Sequence, residues 1–131
     1  MNVPITISGG GIIGNYISLR LKKSNIKTLI IEKSEDSQDL PEGIRTLTLN
    51  NHSMAMLKAV GLSIEAADVN KIEVLDGEGT GNIQFSSEDI SEESLSHVIL
   101  FNDLRNELLG MCRDETIFSN EIQSIQNLNQ E

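Results

Sequence analysis

Two features of this sequence could do chemistry: the run Gly9-Gly10-Gly11-Ile12-Ile13-Gly14 and the carboxylate of Glu32. The chemistry they suit is the binding of a nucleotide phosphate and its sugar. Gly9 allows a tight turn out of a strand. Gly11 lacks the Cβ that would keep a pyrophosphate off the backbone, and Gly14 lets a helix pack closely on the strands. A helix starting at this turn offers free N–H groups and the positive end of its dipole to the phosphates. Glu32 lies 23 residues beyond Gly9. From there it can accept hydrogen bonds from the ribose hydroxyls of an adenosine, and its charge disfavours a 2′-phosphate, so FAD or NAD fits better than NADP.

These residues need a βαβ unit to hold them. Ile5, Thr6 and Ile7 are a short β-branched run, and Thr28-Leu29-Ile30-Ile31 is a second one ending at Glu32. Between them the pattern predicts a helix from Asn15 to about Lys23. Ile13, Ile17 and Leu21 recur every four residues, and Ile12, Tyr16 and Leu19 widen that face. Lys22 and Lys23 suit the helix C-terminus, and Asn25 can take the left-handed cap conformation. A glycine-rich turn also occurs in proteins without a ligand. Here the strand, helix, second strand and acidic residue all agree on a dinucleotide site.

Beyond Glu32 the stretch from Ser34 to Gly43, with Pro41, reads as a polar loop. Ile44 to Leu49 reads as extended, with Arg45 expected near the carboxyl end of the second strand, where open α/β sheets bind their ligands. Arg45 could hold a phosphate or a flavin edge, or pair with Glu32 or Glu42. Asn50 or Asn51 can cap a helix to about Val60, with Met54, Leu57 and Val60 on one face and Gly61 as its stop. His52 is assigned no role. Lys71–Leu75 and Asn82–Ser86 read as a hairpin across Asp76-Gly77-Glu78-Gly79-Thr80-Gly81, which lacks the spacing of a calcium loop. After a polar stretch, His97 to Phe101 is an apolar run. Asn102 is expected to cap a helix through about Arg113, with Leu104, Leu108 and Met111 inward. Thr116 to Ser119 reads as a third parallel strand, Ile122 and Ile125 as its extension, and Gln130 and Glu131 as a polar tail.

The chain has 131 residues, 20 acidic and 10 basic, for a net charge of −10. That balance argues against nucleic acid and against an anionic membrane surface as electrostatic partners. The acidic stretches Glu32–Glu42 and Glu88–Glu93 read as solvated. A lone cysteine, Cys112, allows no internal disulfide. It is expected to be a buried apolar residue in a reducing, cytoplasmic setting. No apolar run has transmembrane length, and with the first strand so near the start no signal peptide is expected. No metal-ligand spacing and no convincing catalytic base are present.

The order of these motifs resembles the N-terminal portion of the FAD-dependent aromatic-ring hydroxylases, and most of all their ubiquinone-biosynthesis branch. Three stretches carry the likeness: Ile5 to Glu32; Arg45-Thr46-Leu47-Thr48-Leu49 with Ser53, Leu57 and Gly61-Leu62; and Val98 to Leu109. The resemblance implies an α/β fold, a Rossmann-like βαβ FAD-binding domain with a parallel sheet and a hairpin inserted at about 71–86. That domain would fill 1–131 and be incomplete at its C-terminus, as in an N-terminal fragment or truncated product. It implies FAD as cofactor, NAD(P)H as co-substrate, dioxygen, and a small aromatic or quinone-precursor substrate, with peripheral membrane or multienzyme association open. By the same likeness Gly9, Gly11, Ile12, Ile13 and Gly14 would hold the pyrophosphate, Glu32 and Lys33 the adenosine side, and Arg45 the flavin and its phosphates. Asn102 and Arg105 would be further polar contacts. The resembled enzymes are several times longer and carry two later FAD motifs, so the fragment alone is expected to be inactive. Two other readings stay open: an NAD-dependent oxidoreductase fragment, and a non-catalytic nucleotide-binding module with exposed sheet edges.

Overall fold

The β-branched runs form parallel strands because the helix between them returns the chain to the same end of the sheet. In the computed structural model, which describes residues 5–37 and 44–126, these are β1 (Ile5–Ser8) and β2 (Thr28–Ile31), joined by α1 (Ile12–Lys23). Ile5 lies opposite Thr28 and Ile7 opposite Ile30. Pro41, Glu42 and Gly43 of the expected loop, and Gln130 and Glu131 of the tail, lie outside the described residues.

The chain divides into two compact units. The first comprises the described residues up to 37 together with those from 105 onward. After β2 its sheet is completed by a short strand near residue 116. The second comprises 44–104.

In the first unit α1 packs on β1 and β2, and of the expected face only Leu19 is buried. Asn15, Ser18 and Leu19 are buried, whereas Ile13 is 69% and Ile17 42% exposed. The cause is Gly14, where a Cβ would collide with the Gly9 carbonyl oxygen. Gly14 must therefore face the strands, and on a 3.6-residue helix its face continues through Asn15, Ser18 and Leu19. Ile13 and Ile17 are consequently turned outward. The tight approach also brings the Ser18 hydroxyl to within 2.6 Å of the Thr28 hydroxyl, so two buried polar groups satisfy each other. The helix starts three residues earlier than the pattern predicts. It ends as expected, with Asn25 at φ 58°.

The second unit carries β3 (Thr46–Leu49), α2 (Asn51–Ala59), β4 (Ala67–Val69), β5 (Lys71–Leu75), β6 (Asn82–Ser86) and β7 (Ser96–Leu100). β7 is flanked by β3 and β4, both antiparallel to it. β5 and β6 pair as the expected hairpin. The Asn50 side chain caps α2, accepting from the Ser53 N–H at 2.8 Å, and Met54, Leu57 and Val60 are buried as expected. The three-residue β4 has no visible period and went unread.

α3 (Phe101–Cys112) supplies its first turn to the second unit and the remainder, from Arg105, to the first. The expectation that Asn102 caps this helix is corrected. β7 ends at Leu100 and α3 begins at Phe101, so Asn102 is inside the first turn. Phe101 is held there by donating its N–H to the Arg45 carbonyl oxygen at 2.9 Å. Leu104, Leu108, Leu109 and Cys112 are buried, and Met111, expected inward, is half-buried.

β8 (Thr116–Ile117) lies parallel beside β2 and gives the sheet order β1-β2-β8. The expected extension of that strand through Ile122 and Ile125 is not formed, and Ile125 is 89% exposed. The left-handed Ser119 (φ 56°) turns the chain back instead, so that Asn120 N–H donates to the Glu32 carbonyl oxygen at 3.0 Å.

Candidate nucleotide site

The glycine turn leaves β1 at Gly9, whose φ of +100° suits a residue without a Cβ. Three successive peptide planes are then fixed by three partners. Gly9 N–H donates to the Ile31 carbonyl oxygen at 2.9 Å. Gly10 N–H donates to Glu32 Oε2 at 2.6 Å. The Gly10 carbonyl oxygen accepts from Asn15 Nδ2 at 2.8 Å.

The next four N–H groups, those of Gly11, Ile12, Ile13 and Gly14, have no acceptor among the described residues, the first helical bond being Asn15 N–H to the Gly11 carbonyl oxygen. No side chain caps the helix and no acidic residue lies in its first turn. A Cβ at Gly11 would meet nothing within 4 Å, so the backbone is open on that side of the turn. Uncapped N–H groups beside the positive end of a helix suit an anion.

Glu32 sits where the sequence places it, one residue past β2, but it does more than face a ligand. Its Oε2 accepts from Gly10 and its Oε1 from the Ser34 N–H at 2.8 Å. Burial pushes its carboxyl up. The Ser34 and Gly10 hydrogen bonds and the Arg105 charge outweigh this and hold it below the usual carboxylate range. The Ser34 side chain is a further hydrogen-bond donor to this carboxylate, which has about four acceptor sites in all and so keeps capacity for a sugar hydroxyl.

A cleft of about 260 Å³ opens at the carboxyl ends of β1 and β2, lined by Ser8, Gly9, Glu32, Lys33, Asn120 and Ile122 among others. That is below the ~300–1,000 Å³ of a whole small-molecule site and suits one part of a dinucleotide. A larger cavity of about 660 Å³, lined by Lys22, Lys27, Asp114 and Glu115 among others, lies at the opposite end of the sheet, away from the glycine turn. Open α/β sheets bind at the carboxyl ends of their strands, so the smaller cleft is the candidate.

Arg105 belongs to the same unit. Its Nη1 is buried without a hydrogen-bond partner, as is Asn15 Oδ1. Arg45 and Asn102 belong to the other unit, where the Arg45 guanidinium lies over the Phe101 ring at 4.3 Å from its centroid. That contact is a local partner of Arg45 within its unit, and Glu42, weighed from sequence as an ion-pair partner, lies outside the described residues. Sequence reasoning gave no role to Gly10, Asn15 or Asn120. The signal for Asn15 was a polar residue directly after the last glycine, at the point where the helix must turn inward.

Two other groups are accounted for without a ligand. Cys112 is buried, donates to the Asn15 carbonyl oxygen at 3.4 Å, and has its thiol pushed up to about 11 by burial and by the Glu115 charge. In the second unit Asp68, His97 and Ser94 stand in the order of a hydrolase triad, with His97 Nδ1 at 2.7 Å from Asp68 Oδ1 and Nε2 at 3.3 Å from Ser94 Oγ. Asn51 Oδ1 lies nearer to Nε2, at 2.9 Å, and Ser94 is 3% exposed. The arrangement joins elements and does not present a nucleophile. Among the described residues no group of His, Cys, Asp and Glu could hold a metal ion, and no helix is long and apolar enough to cross a membrane.

The fold is shared with proteins of known structure. The structure superposes on Klebsiella pneumoniae HpxO complexed with FAD and uric acid with a TM-score of 0.74, at 18% identity, covering 95% of this chain and 33% of that one. It superposes on p-nitrophenol 4-monooxygenase PnpA of Pseudomonas putida with a TM-score of 0.73, at 15% identity, covering 94% of this chain and 33% of that one. At those identities the likeness is one of fold. An uncharacterized protein of Synechocystis is 27% identical over 97 residues, 72% of this chain and 23% of its own length. The chain thus spans about a third of the solved structures it matches and less of that relative. The family described as "FAD binding domain" matches residues 2–114, and the chain belongs to that FAD-binding family.

Proposed function

We propose that the chain holds the ADP portion of FAD. The observation that carries this is the row of four N–H groups, from Gly11 to Gly14, left without acceptors among the described residues at an uncapped helix start, where a Cβ on Gly11 would meet nothing within 4 Å. These groups would take the pyrophosphate. Glu32, with Lys33 beside it in the cleft, would take the adenosine ribose. Arg105, with a buried and unpartnered Nη1, would add a cation on the same side as Glu32. The family resemblance assigns Arg45 and Asn102 to the same cofactor, and both stay in the proposal.

We propose further that the chain is the N-terminal portion of a flavin-dependent monooxygenase acting on a small aromatic ring, with a quinone precursor as the substrate class. Uric acid and p-nitrophenol, named with two of the solved neighbours, are small ring compounds of comparable size. FAD in such enzymes supplies dioxygen activation after reduction by NAD(P)H. The residues of this chain bind and orient: backbone donors neutralise the phosphates, and a carboxylate selects an unphosphorylated ribose. Among the described residues none is assigned a proton transfer in the reaction, and the chain by itself should not turn over.

The test is a titration of the purified chain with FAD, followed by flavin absorbance and fluorescence, with NAD as competitor. Saturable FAD binding that resists NAD and is abolished by Gly11→Asp is expected. Binding of NAD but not FAD would favour a dehydrogenase fragment. Binding of neither by a folded chain would remove the reading.

A further inference from the structure

We infer that Asn15 is a positioning residue that aims the Gly11 N–H at the ligand, an inference that rests on the proposed FAD site. Asn15 is wholly buried at the start of α1. Its Nδ2 donates to the Gly10 carbonyl oxygen at 2.8 Å. The Gly10 carbonyl and the Gly11 N–H belong to one peptide unit, and in a planar trans peptide they point in opposite directions. Drawing the Gly10 oxygen toward the buried Asn15 side chain therefore turns the Gly11 N–H away from it, and a Cβ on Gly11 would meet nothing within 4 Å. Glycine flanked by glycine has little steric resistance to a flip of this plane, so the direction must come from a partner. Asn15 is that partner. The neighbouring plane is held in the same way by Glu32 Oε2, and the one before it by the Ile31 carbonyl oxygen.

The side chain is not a space-filler chosen for its polarity alone. Its Oδ1 is buried without a hydrogen-bond partner, so an apolar residue of the same size would leave fewer unsatisfied atoms on the side chain itself. What Asn supplies and leucine cannot is the Nδ2 donor. Its own carbonyl oxygen accepts from Cys112 Sγ, which ties this first helical turn to the far end of α3 within the same unit.

The experiment compares Asn15→Leu and Asn15→Ala with the unaltered chain, with FAD, ADP and adenosine as probes. Fold is monitored by circular dichroism and melting. Positioning predicts that FAD and ADP bind about tenfold or more weakly in both variants, while adenosine, which has no phosphate, changes by less than about twofold. A structural role would weaken all three together or lower only the melting temperature. Either result, or unchanged ADP affinity in a folded variant, overturns the inference. The ¹³C carbonyl shift of Gly10 in the ligand-free chain reads the hydrogen bond directly. A change confined to Gly10 and Gly11 in the variants supports the role, and no change overturns it. If the unaltered chain binds neither FAD nor ADP, the FAD reading fails, and the carbonyl shift still decides whether Asn15 sets the peptide plane.

Discussion

A methyl group on Gly14 would land on the Gly9 carbonyl oxygen, so Gly14→Ala must push α1 away from β1 or twist the turn. Either movement shifts the donors of Gly11 to Gly14. The variant should lose about 1–3 kcal/mol of stability, as overpacking does, and FAD affinity should fall with it in the titration. At Glu32 the sign of a pH effect follows from its carboxyl lying below the ordinary range. A depressed carboxyl stabilises the folded state above its unfolded pKa, and that contribution is lost as pH falls through the folded value. Glu32→Gln should therefore be less stable than the unaltered chain at neutral pH. The gap should close on acidification below about pH 4, the ordinary range for a glutamate. Melting temperatures at stepped pH measure this. A gap that widens in acid would mean that the Gly10 and Ser34 bonds do not govern Glu32.

At the scale of elements, the sheet of β3, β7 and β4 depends on a polar junction that carries no sequence signature. His97 on β7 reaches Asp68 on β4 and Asn51 on α2, while Asn51 Nδ2 donates to the Ser94 carbonyl oxygen at 2.9 Å. His97→Leu removes the contacts to Asp68, Asn51 and Ser94 and leaves the half-buried Asn51 oxygen with only the long bond from the Ser94 hydroxyl, at 3.4 Å, so it should cost about 1–3 kcal/mol in urea unfolding. FAD affinity should follow only if the second unit contributes to the site. The hairpin and the βαβ unit were legible because their turns and β-branched runs are local signals, and the cap at Asn50 because its partner is three residues away. The buried face of α1 was misread because periodicity weighs apolar residues, whereas a close contact at Gly14 selects the small side chain of Ser18. β4 and the direct passage from β7 into α3 were unreadable for a related reason: pairing with a distant strand defines them. At the site, Gly9, Gly11, Gly14 and Glu32 could be read from spacing, while Asn15 and Asn120 matter through the backbone groups they meet.

The whole molecule sets a condition that no single residue shows. The chain carries a net charge of −10, and its proposed ligand is an anion. If binding relied on a basic surface, affinity would fall as salt screened the attraction. In the proposed site the donors are four backbone N–H groups at a helix start, whose action is short-range, while the remaining acidic charge would repel the ligand from a distance. The Debye length contracts from ~30 Å at 0.01 M salt to ~8 Å at 0.15 M. Screening therefore removes the repulsion and leaves close contacts with the N–H groups largely intact. FAD and ADP affinity should hold or rise over that range, read by fluorescence or calorimetry at constant pH. A steep fall instead would assign the binding energy to Arg45, Arg105 and Lys33. The same series on Arg105→Gln would then show a shallower salt slope than the unaltered chain. With backbone donors dominant, the two slopes should be nearly the same, because the net charge that governs the long-range field changes by only one unit.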